Sequence, residues 1–227
     1  MAYADYTYNS KNIVKRFAHR KRISGAFNFL PNHNFRLLDF GCGDAMFLNK
    51  LCEINKNSYI VGYEPILELI DDNKVKIFRD WENVKKEISN ENLFDIVTCF
   101  DVLEHFAPHK QKELIEQICS VLKKNGTVII SVPVESGFFS LVKNLHRKRS
   151  NYKNLFTWKN ILRAVFEKPV SHRQGDEYIY DHLGFYLKDL EKILYDYFKL
   201  VDKKYSPFAI LGKQFNYQVF YKLEKID

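Results

Sequence analysis

The fold of this chain is decided by the stretch Leu37-Leu38-Asp39-Phe40-Gly41-Cys42-Gly43-Asp44-Ala45. An apolar run stops there at two glycines separated by one residue, and helix-forming residues follow. This pattern predicts a buried strand, a tight turn and the start of a helix. Glycines in such a turn let the backbone approach a ligand closely, and the first turn of a helix offers N–H groups to it. A dinucleotide-binding turn has a third glycine three residues after the second, where this chain has Met46, so the turn does not fit NAD.

Acidic residues follow the next two predicted strands. The segment 59–63 ends before Glu64, and an acid at this distance from the glycine turn can accept hydrogen bonds from the ribose hydroxyls of a nucleoside. The alternating segment 75–79 ends at Asp80 and Trp81. We expect Asp80 to accept a hydrogen bond from an adenine amine and Trp81 to stack on the ring. The alternatives are a solvated acid and an indole in the core.

The fourth predicted strand, residues 94–100, runs into the sequence Asp101-Val102-Leu103-Glu104-His105-Phe106. Together with the glycine turn and Glu64, this motif resembles the class I S-adenosylmethionine-dependent methyltransferases. It is similar to the branch that includes ubiquinone-biosynthesis O-methyltransferases and many small-molecule and sugar methyltransferases. The resemblance covers residues 35–135 well and the rest loosely. Ala45 stands where the family often has a third glycine, and alanine fits there if its φ angle is negative.

The resemblance implies S-adenosylmethionine as the cofactor. Asp39 and the glycine turn would hold its methionine portion, and Glu64 its ribose. The full set of implied cofactor-binding residues is Asp39, Gly41, Cys42, Gly43, Asp44, Ala45, Glu64, Pro65, Asp80, Trp81, Phe100, Asp101 and Val102. The alternative for Asp39 and Glu64 is that they are ordinary polar residues at the ends of strands.

The alternation of strand and helix segments predicts an α/β fold. We expect a doubly wound, mostly parallel, Rossmann-like sheet of seven strands, with an antiparallel C-terminal strand and an insertion after the fifth strand. Helices are predicted over 11–29, 44–54, 65–71, 81–89, 109–123 and 187–198, and the last three strands over 127–132, 199–206 and 216–224. Asn125-Gly126 is expected to end the helix before the fifth strand.

One domain is expected over residues 1–227. Its predicted parts are an N-terminal helical lid (1–34), a cofactor-binding core (35–133), a substrate-recognition insertion (134–186) and a C-terminal helix with a strand pair (187–227). The insertion is expected to be partly helical, over 138–147 and 157–166.

Methyl transfer to a hydroxyl requires a group that removes its proton, and histidine is the natural base near pH 7. His182, which precedes the last predicted helix, is one candidate, with Asp181 to orient it. His105 at the end of the fourth strand is another, with its neighbour Glu104 as the alternative base, and His172 is the third. The structural alternatives are that His105 serves the cofactor pocket and that Asp181 and His182 cap a turn. No metal ligand is assigned from the sequence.

The net charge of +7 is unevenly distributed. Residues 136–166 contain seven lysines and arginines and no acid. Three interpretations stay open: a solvated surface, recognition of an anionic acceptor such as a nucleotide-activated sugar, and a membrane-surface helix with interleaved aromatic residues. Nucleic acid ranks below these, because no recognition module is visible. Cysteines without C-x-x-C spacing, no signal peptide and no apolar stretch of spanning length favour a cytoplasmic protein. If residues 136–166 form a membrane-surface helix, the protein would also contact the inner face of the membrane.

The function predicted first is O-methylation of a hydroxyl on a sugar or glycan-type small acceptor, as in polysaccharide biosynthesis. A quinone-type phenol and a lipid-linked acceptor are the alternatives within the enzyme class. From other classes, we consider a non-catalytic module that binds the cofactor or a partner with this fold, and an RNA-modifying enzyme. The intact residues Asp39, Gly41, Gly43 and Glu64 speak against a decayed, non-catalytic site.

Overall fold

The computed structural model describes residues 24–67, 74–88, 92–135, 144–145, 148, 156–168, 170, 178–208, 210 and 212–226. Their centre is a seven-stranded sheet in the order β3-β2-β1-β4-β5-β7-β6. The strands are β1 Arg36–Phe40, β2 Tyr59–Tyr63, β3 Lys76–Phe78, β4 Phe94–Phe100, β5 Leu122–Pro133, β6 Phe198–Ser206 and β7 Gln218–Lys225. The first five strands pair in parallel, and β7 runs antiparallel to both β5 and β6. The predicted fold class is therefore confirmed.

Helices cover both faces of the sheet. The α-helices are α1 Met46–Ile54, α2 Trp81–Glu87, α3 Pro108–Val121, α4 Trp158–Val165 and α5 Leu187–Tyr197. One apolar layer contains α2, α3 and α5, and the opposite layer contains α1 and the segment 24–30. Successive residues of a strand point to opposite faces, so Leu37 packs into the second layer and Leu38 into the first. None of these helices has the length and apolarity needed to span a bilayer.

Two predicted boundaries around the fifth strand are wrong. Helix α3 ends at Val121, and β5 begins at Leu122, so Asn125 and Gly126 lie inside the strand rather than at the end of a helix. Asn125 has a φ of +59°, and the pairing of β4 with β5 changes register at this point. The Asn-Gly pair thus forms an irregularity within β5, since both residue types tolerate left-handed backbone conformations.

The other predicted elements are found with small shifts or fall partly outside the described residues. Helix α2 ends at Glu87, because Ile88 is already extended. Residues 65–67 form a bend, and the rest of the helix predicted over 65–71 is not described. The N-terminal helix is described only from residue 24, where it is helical to residue 27. Most of the helix predicted over 138–147 is outside the described residues, and the division of the chain into lid, core and insertion stays a prediction.

Gly62 of β2 links the sheet to the glycine turn. A Cβ atom on Gly62 would lie 2.6 Å from Cys42 Sγ and 2.9 Å from Leu48 Cδ1. These distances are shorter than van der Waals contact, so the turn and α1 can lie directly on β2 only because this position has no side chain.

We expect Gly62→Ala to lower the free energy of unfolding by about 1–3 kcal/mol, because the added methyl group overpacks this contact. Urea unfolding followed by circular dichroism measures the change. The matched background is Cys42→Ala, which removes the nearer of the two atoms. The cost of Gly62→Ala should be smaller in that background, and an equal cost in both would contradict the contact.

Candidate cofactor and acceptor site

A cavity of about 420 Å³ opens at the C-terminal ends of β1, β2 and β4. The chain leaves β1 toward β2 on one side, and β4 lies on the other side, so the cavity is at the point where the strand order reverses. Ligands of open parallel sheets bind at such points. Its lining residues are Ala26, Asp39, Phe40, Gly41, Cys42, Gly43, Asp44, Met46, Phe47, Tyr63, Glu64, Pro65, Ile66, Leu67, Phe100, Asp101, Val102, His105, Phe106, Leu114, Tyr178 and Tyr180.

The glycine turn is held in a left-handed conformation. Gly41 and Gly43 have φ angles of +77° and +58°. The N–H groups of Gly41 and Cys42 both donate to the Tyr63 carbonyl, at 2.8 and 3.1 Å. A Cβ atom on Gly41 would lie 2.4 Å from Val102 Cγ2, whereas one on Gly43 would meet nothing within 4 Å. Gly41 is thus required by packing, and Gly43 leaves open space next to the backbone where a ligand can approach.

Ala45 corrects an expectation from the sequence. Its φ is +58°, so the condition under which we expected alanine to fit here, a negative φ, is not met. The side chain is fully buried, and the residue forms the N-cap of α1. Its N–H donates to the Cys42 carbonyl at 3.0 Å, and its carbonyl accepts from Asn49 at 2.9 Å. A left-handed residue with a Cβ costs about 1–2 kcal/mol, and these contacts hold it there.

Glu64 ties the glycine turn to the loop after β2. Its carboxylate is buried, and one oxygen accepts from Gly43 N at 3.0 Å. The other oxygen accepts from Ile66 N at 2.9 Å and from Leu67 N at 3.0 Å. The acid that the sequence assigns to a ribose therefore also fixes the shape of the pocket in which that ribose would lie.

Asp39 lies at the end of β1 with a side chain that is almost fully buried. Its Oδ1 accepts a hydrogen bond from Thr98 Oγ1 at 2.6 Å. Burial raises the pKa of Asp39 to about 7, since the hydroxyl of Thr98 opposes that shift only in part and the charge of Glu64 adds to it. A cation next to this carboxylate would favour its ionised form.

Asp101 is placed at the cavity by β5 and β7. It has a φ of +55°, and its N–H donates to the Ser131 carbonyl at 2.9 Å. Its Oδ1 accepts from Gln218 Nε2 at 2.7 Å and from Ser131 Oγ at 3.1 Å. Phe100 and Val102, on either side of it, also line the cavity.

Asp80 and Trp81 lie away from the cavity lining. Asp80 is exposed and caps α2, where its side chain accepts from Glu82 N at 3.0 Å. Trp81 is half-buried and packs edge-on against Phe40 and Tyr63, with ring centroids 5.4 and 5.1 Å away. Their contact with an adenine stays a prediction, and the two rings that Trp81 contacts, those of Phe40 and Tyr63, line the cavity.

An aromatic wall forms another part of the cavity lining. The ring of His105 stacks on Tyr178, with centroids 4.7 Å apart and planes inclined by 15°. Tyr178 in turn packs edge-on against Phe106 and Tyr180. The backbones of His105 and Ile179 are also joined, because Ile179 N donates to the His105 carbonyl at 2.8 Å. We call this wall, formed by His105, Phe106, Leu114, Tyr178 and Tyr180, the acceptor end.

The structure brings His182 to His105 but not into the cavity lining. The two imidazole rings are in edge-on contact, with centroids 4.9 Å apart. The Nδ1 atom of His182 lies 3.3 Å from Oε1 of Glu135, whose side chain is fully buried. Asp181, which we expected to orient His182, accepts a hydrogen bond from Leu183 N at 2.9 Å. The role assigned to Asp181 stays a prediction, and His172 lies outside the described residues.

Sequence reasoning missed Glu135, Tyr63 and the tyrosines at the acceptor end. Glu135 could have been found, because it follows the fifth strand by two residues and so repeats the pattern of an acid at a strand end seen at Glu64 and Asp101. Nothing in the local pattern of Tyr178 and Tyr180 distinguishes them from packing residues.

Comparison with known proteins gives one family for most of the chain. The sequence model of a protein family described as a methyltransferase domain matches residues 6–165. An uncharacterized protein of Methanocaldococcus jannaschii is 26% identical over 190 residues, which cover 78% of this chain and 74% of that protein. A ubiquinone biosynthesis O-methyltransferase of Pelagibacter ubique is 26% identical over 132 residues, and the match covers 55% of this chain and half of that enzyme.

Solved structures share the fold. The magnesium protoporphyrin IX methyltransferase of Synechocystis with bound S-adenosylhomocysteine superposes with a TM-score of 0.57 at 14% identity, covering 96% of this chain and 89% of that one. A SAM-dependent methyltransferase from Archaeoglobus fulgidus superposes with a TM-score of 0.60 at 17% identity, covering 98% of each chain.

Replacement of Glu64 tests its part in shaping the turn. We expect Glu64→Ala to lower the free energy of unfolding by about 1.5–3 kcal/mol, because three backbone N–H groups lose a charged acceptor. Glu64→Gln keeps one acceptor oxygen and should cost less. Urea unfolding of both variants gives the two values, and equal stability of Glu64→Ala and the unchanged protein would contradict the assignment.

Proposed function

The chain belongs to the methyltransferase-domain family, whose methyl donor is S-adenosylmethionine, and from this premise we propose that it methylates the hydroxyl of a phenol-type aromatic acceptor. The observation that carries the acceptor class is the aromatic wall at the acceptor end. A planar ring can pack against the wall formed by Tyr178, Tyr180 and Phe106, in the offset or edge-on geometries that aromatic pairs prefer. The similarity to ubiquinone biosynthesis O-methyltransferases, which spans about half of those enzymes, supports the same class.

The residues around the glycine turn fit a sulfonium cofactor. Four carboxylates line the cavity, those of Asp39, Asp44, Glu64 and Asp101, and the described lining contains no lysine or arginine. Such a site favours a cation. When bound, S-adenosylmethionine supplies an activated methyl group on a positively charged sulfur. We propose that Asp39 and the turn hold the methionine portion, and that Glu64 accepts from the ribose hydroxyls.

The carboxylates in the cavity lining also disfavour an anionic acceptor. A phosphorylated or nucleotide-activated sugar needs positive groups beside its phosphates, and the described lining offers carboxylates instead. A neutral phenol has no such requirement. We therefore place the sugar, which the sequence favoured, behind the phenol as the acceptor to be tested.

The proposed reaction requires the chain to align the acceptor with the methyl donor and to remove the proton of the acceptor hydroxyl. The acceptor end and the glycine turn line the same cavity, so an acceptor bound against the wall would share that cavity with a donor held by the turn, and alignment of the two would supply much of the catalysis. Of the predicted bases, His105 lines the cavity, and His182 contacts the ring of His105 without lining the cavity. A proton acceptor beside the hydroxyl raises its reactivity.

The predicted membrane contact through residues 136–166 stays a proposal. In helix α4, Trp158 and Leu162 are exposed four residues apart, and Phe166 follows after another turn. The Nζ atom of Lys148 lies 4.1 Å from the ring centre of Trp158. An apolar stripe beside cations is the pattern of a helix that lies on an anionic lipid surface.

The acceptor class is tested by incorporation of a labelled methyl group from S-adenosylmethionine into a panel of catechols, hydroxylated quinols and nucleotide sugars. We expect transfer to the phenols. Tyr178→Ala should raise KM for a phenol about 2- to 10-fold, which is the loss of one aromatic contact. Transfer to sugars alone would overturn the acceptor class.

The matched control is Tyr195→Ala, which removes an exposed tyrosine of α5 that does not line the cavity. It should leave KM unchanged. Binding of S-adenosylhomocysteine to Tyr178→Ala, measured by calorimetry, should match the unchanged protein, which separates loss of the acceptor contact from loss of the fold.

Binding of S-adenosylhomocysteine should also strengthen as pH rises through about 7. Below its pKa of about 7 the Asp39 carboxyl is protonated, and the ammonium group of the ligand favours the ionised form. Binding below that pH therefore releases a proton, and affinity should rise by at most about tenfold per pH unit between about pH 6 and pH 7.

Calorimetric titrations across this range, in buffers of different ionisation enthalpy, measure both the affinity and the released proton. Asp39→Asn is the control, because its pH profile reports only the titration of the ligand itself and of the remaining groups. Identical profiles for Asp39→Asn and the unchanged protein would show that Asp39 does not contact the cation.

A further inference from the structure

Three side chains with metal-ligating atoms converge beside the acceptor end of the cavity. Glu104, His105 and His182 each present one such atom, and these atoms all lie within 4.8 Å of one another. Glu104 and His105 come from the 3₁₀ turn after β4, and His182 comes from the segment before α5. We propose that the three residues bind a first-row divalent cation, with Zn²⁺ as the reference ion.

The hydrogen bond made by His105 prepares its ring for a metal. Its Nδ1 lies 2.7 Å from the Ile179 carbonyl oxygen, which can only accept, so Nδ1 carries the proton and Nε2 keeps a lone pair. The stack with Tyr178 holds the ring plane. Metal-binding histidines usually donate their other ring N–H to a carbonyl or a carboxylate in this way.

His182 has the equivalent support from Glu135. Its Nδ1 lies 3.3 Å from Glu135 Oε1, so a metal bound through Nε2 would leave Nδ1 facing that carboxylate. A carboxylate in this position fixes the orientation of an imidazole and increases its basicity as a ligand. Glu135 is thus a positioning residue for His182.

The burial of the carboxylates favours a cation at the same place. Glu104 is fully buried, and Glu135 is 1% exposed. Removing a carboxylate from water costs several kcal/mol unless positive charge lies nearby. A divalent cation at the point where the donors converge would supply such charge.

The donor set selects the class of metal. Two imidazoles and one carboxylate suit Zn²⁺ and its neighbours in the first transition row, whereas Mg²⁺ prefers oxygen ligands and keeps several waters. Three protein ligands leave a coordination position open. Because His105 lines the cavity, an acceptor hydroxyl could take that position, where the metal would lower its pKa and its proton would leave to water. This role, unlike the binding itself, rests on the proposed function.

The experiment is calorimetric titration of Zn²⁺ into the metal-free full chain, without a purification tag. We expect one site, and a loss of affinity of more than about 100-fold in Glu104→Gln and in His182→Ala. Glu135→Gln, which changes only the supporting carboxylate, should weaken binding roughly 10–100-fold. The control is His33→Ala, an exposed histidine that does not line the acceptor cavity, which should bind as the unchanged protein does.

Titration with Co²⁺ adds a spectroscopic readout, since visible bands of a low-symmetry site should appear and be lost in Glu104→Gln. Circular dichroism checks that each variant folds. Equal Zn²⁺ affinity in Glu104→Gln, His182→Ala and the unchanged protein would overturn the site. Binding of S-adenosylhomocysteine is measured in the same samples, so a failed metal site with intact binding leaves the methyltransferase assignment standing, and a loss of both identifies a folding defect.

Discussion

The Glu64 carboxylate holds together the two segments from which the cofactor end of the cavity is built. Its oxygens accept from Gly43 in the glycine turn and from Ile66 and Leu67 in the loop after β2. The turn can lie against β2 only because Gly62 has no side chain to meet Cys42 and Leu48, and it can lie against Val102 after β4 only because Gly41 has none. One buried acid and two close backbone contacts therefore fix both the shape of the turn and the position of α1.

The site is divided into two ends of different chemistry. Carboxylates at or just after the ends of β1, β2 and β4 line the cavity together with the glycine turn, and the rings of the acceptor end form another part of its lining. Burying a carboxylate disfavours its ionised form, and at Asp39 burial raises the pKa of the carboxyl to about 7. In the function we propose, a cationic ligand would relieve that cost, and the aromatic rings would select a neutral acceptor.

The acceptor end depends on contacts between segments that are far apart in the sequence. The turn after β4, the end of β5 and the segment 178–182 meet through the stack of His105 on Tyr178 and the approach of His182 to Glu135. The proposed metal site and the proposed acceptor wall share His105, so binding of the metal and packing of the aromatic rings are expected to depend on each other.

The sequence alone was enough to predict the fold class and to place three acids at one edge of the sheet. Apolar runs that stop at glycines or acids are local patterns, and in a parallel sheet the ends of such strands necessarily meet at one edge, so Asp39, Glu64 and Asp101 could be placed together in advance. The tertiary structure alone decided the left-handed conformation of Ala45, the position of Asn125-Gly126 inside β5, and the convergence of Glu104, His105 and His182. These features arise from packing between segments that lie apart along the chain. The neighbours of a side chain in the folded protein depend on how the layers pack together, and the residues that flank it in the sequence do not indicate which neighbours those will be.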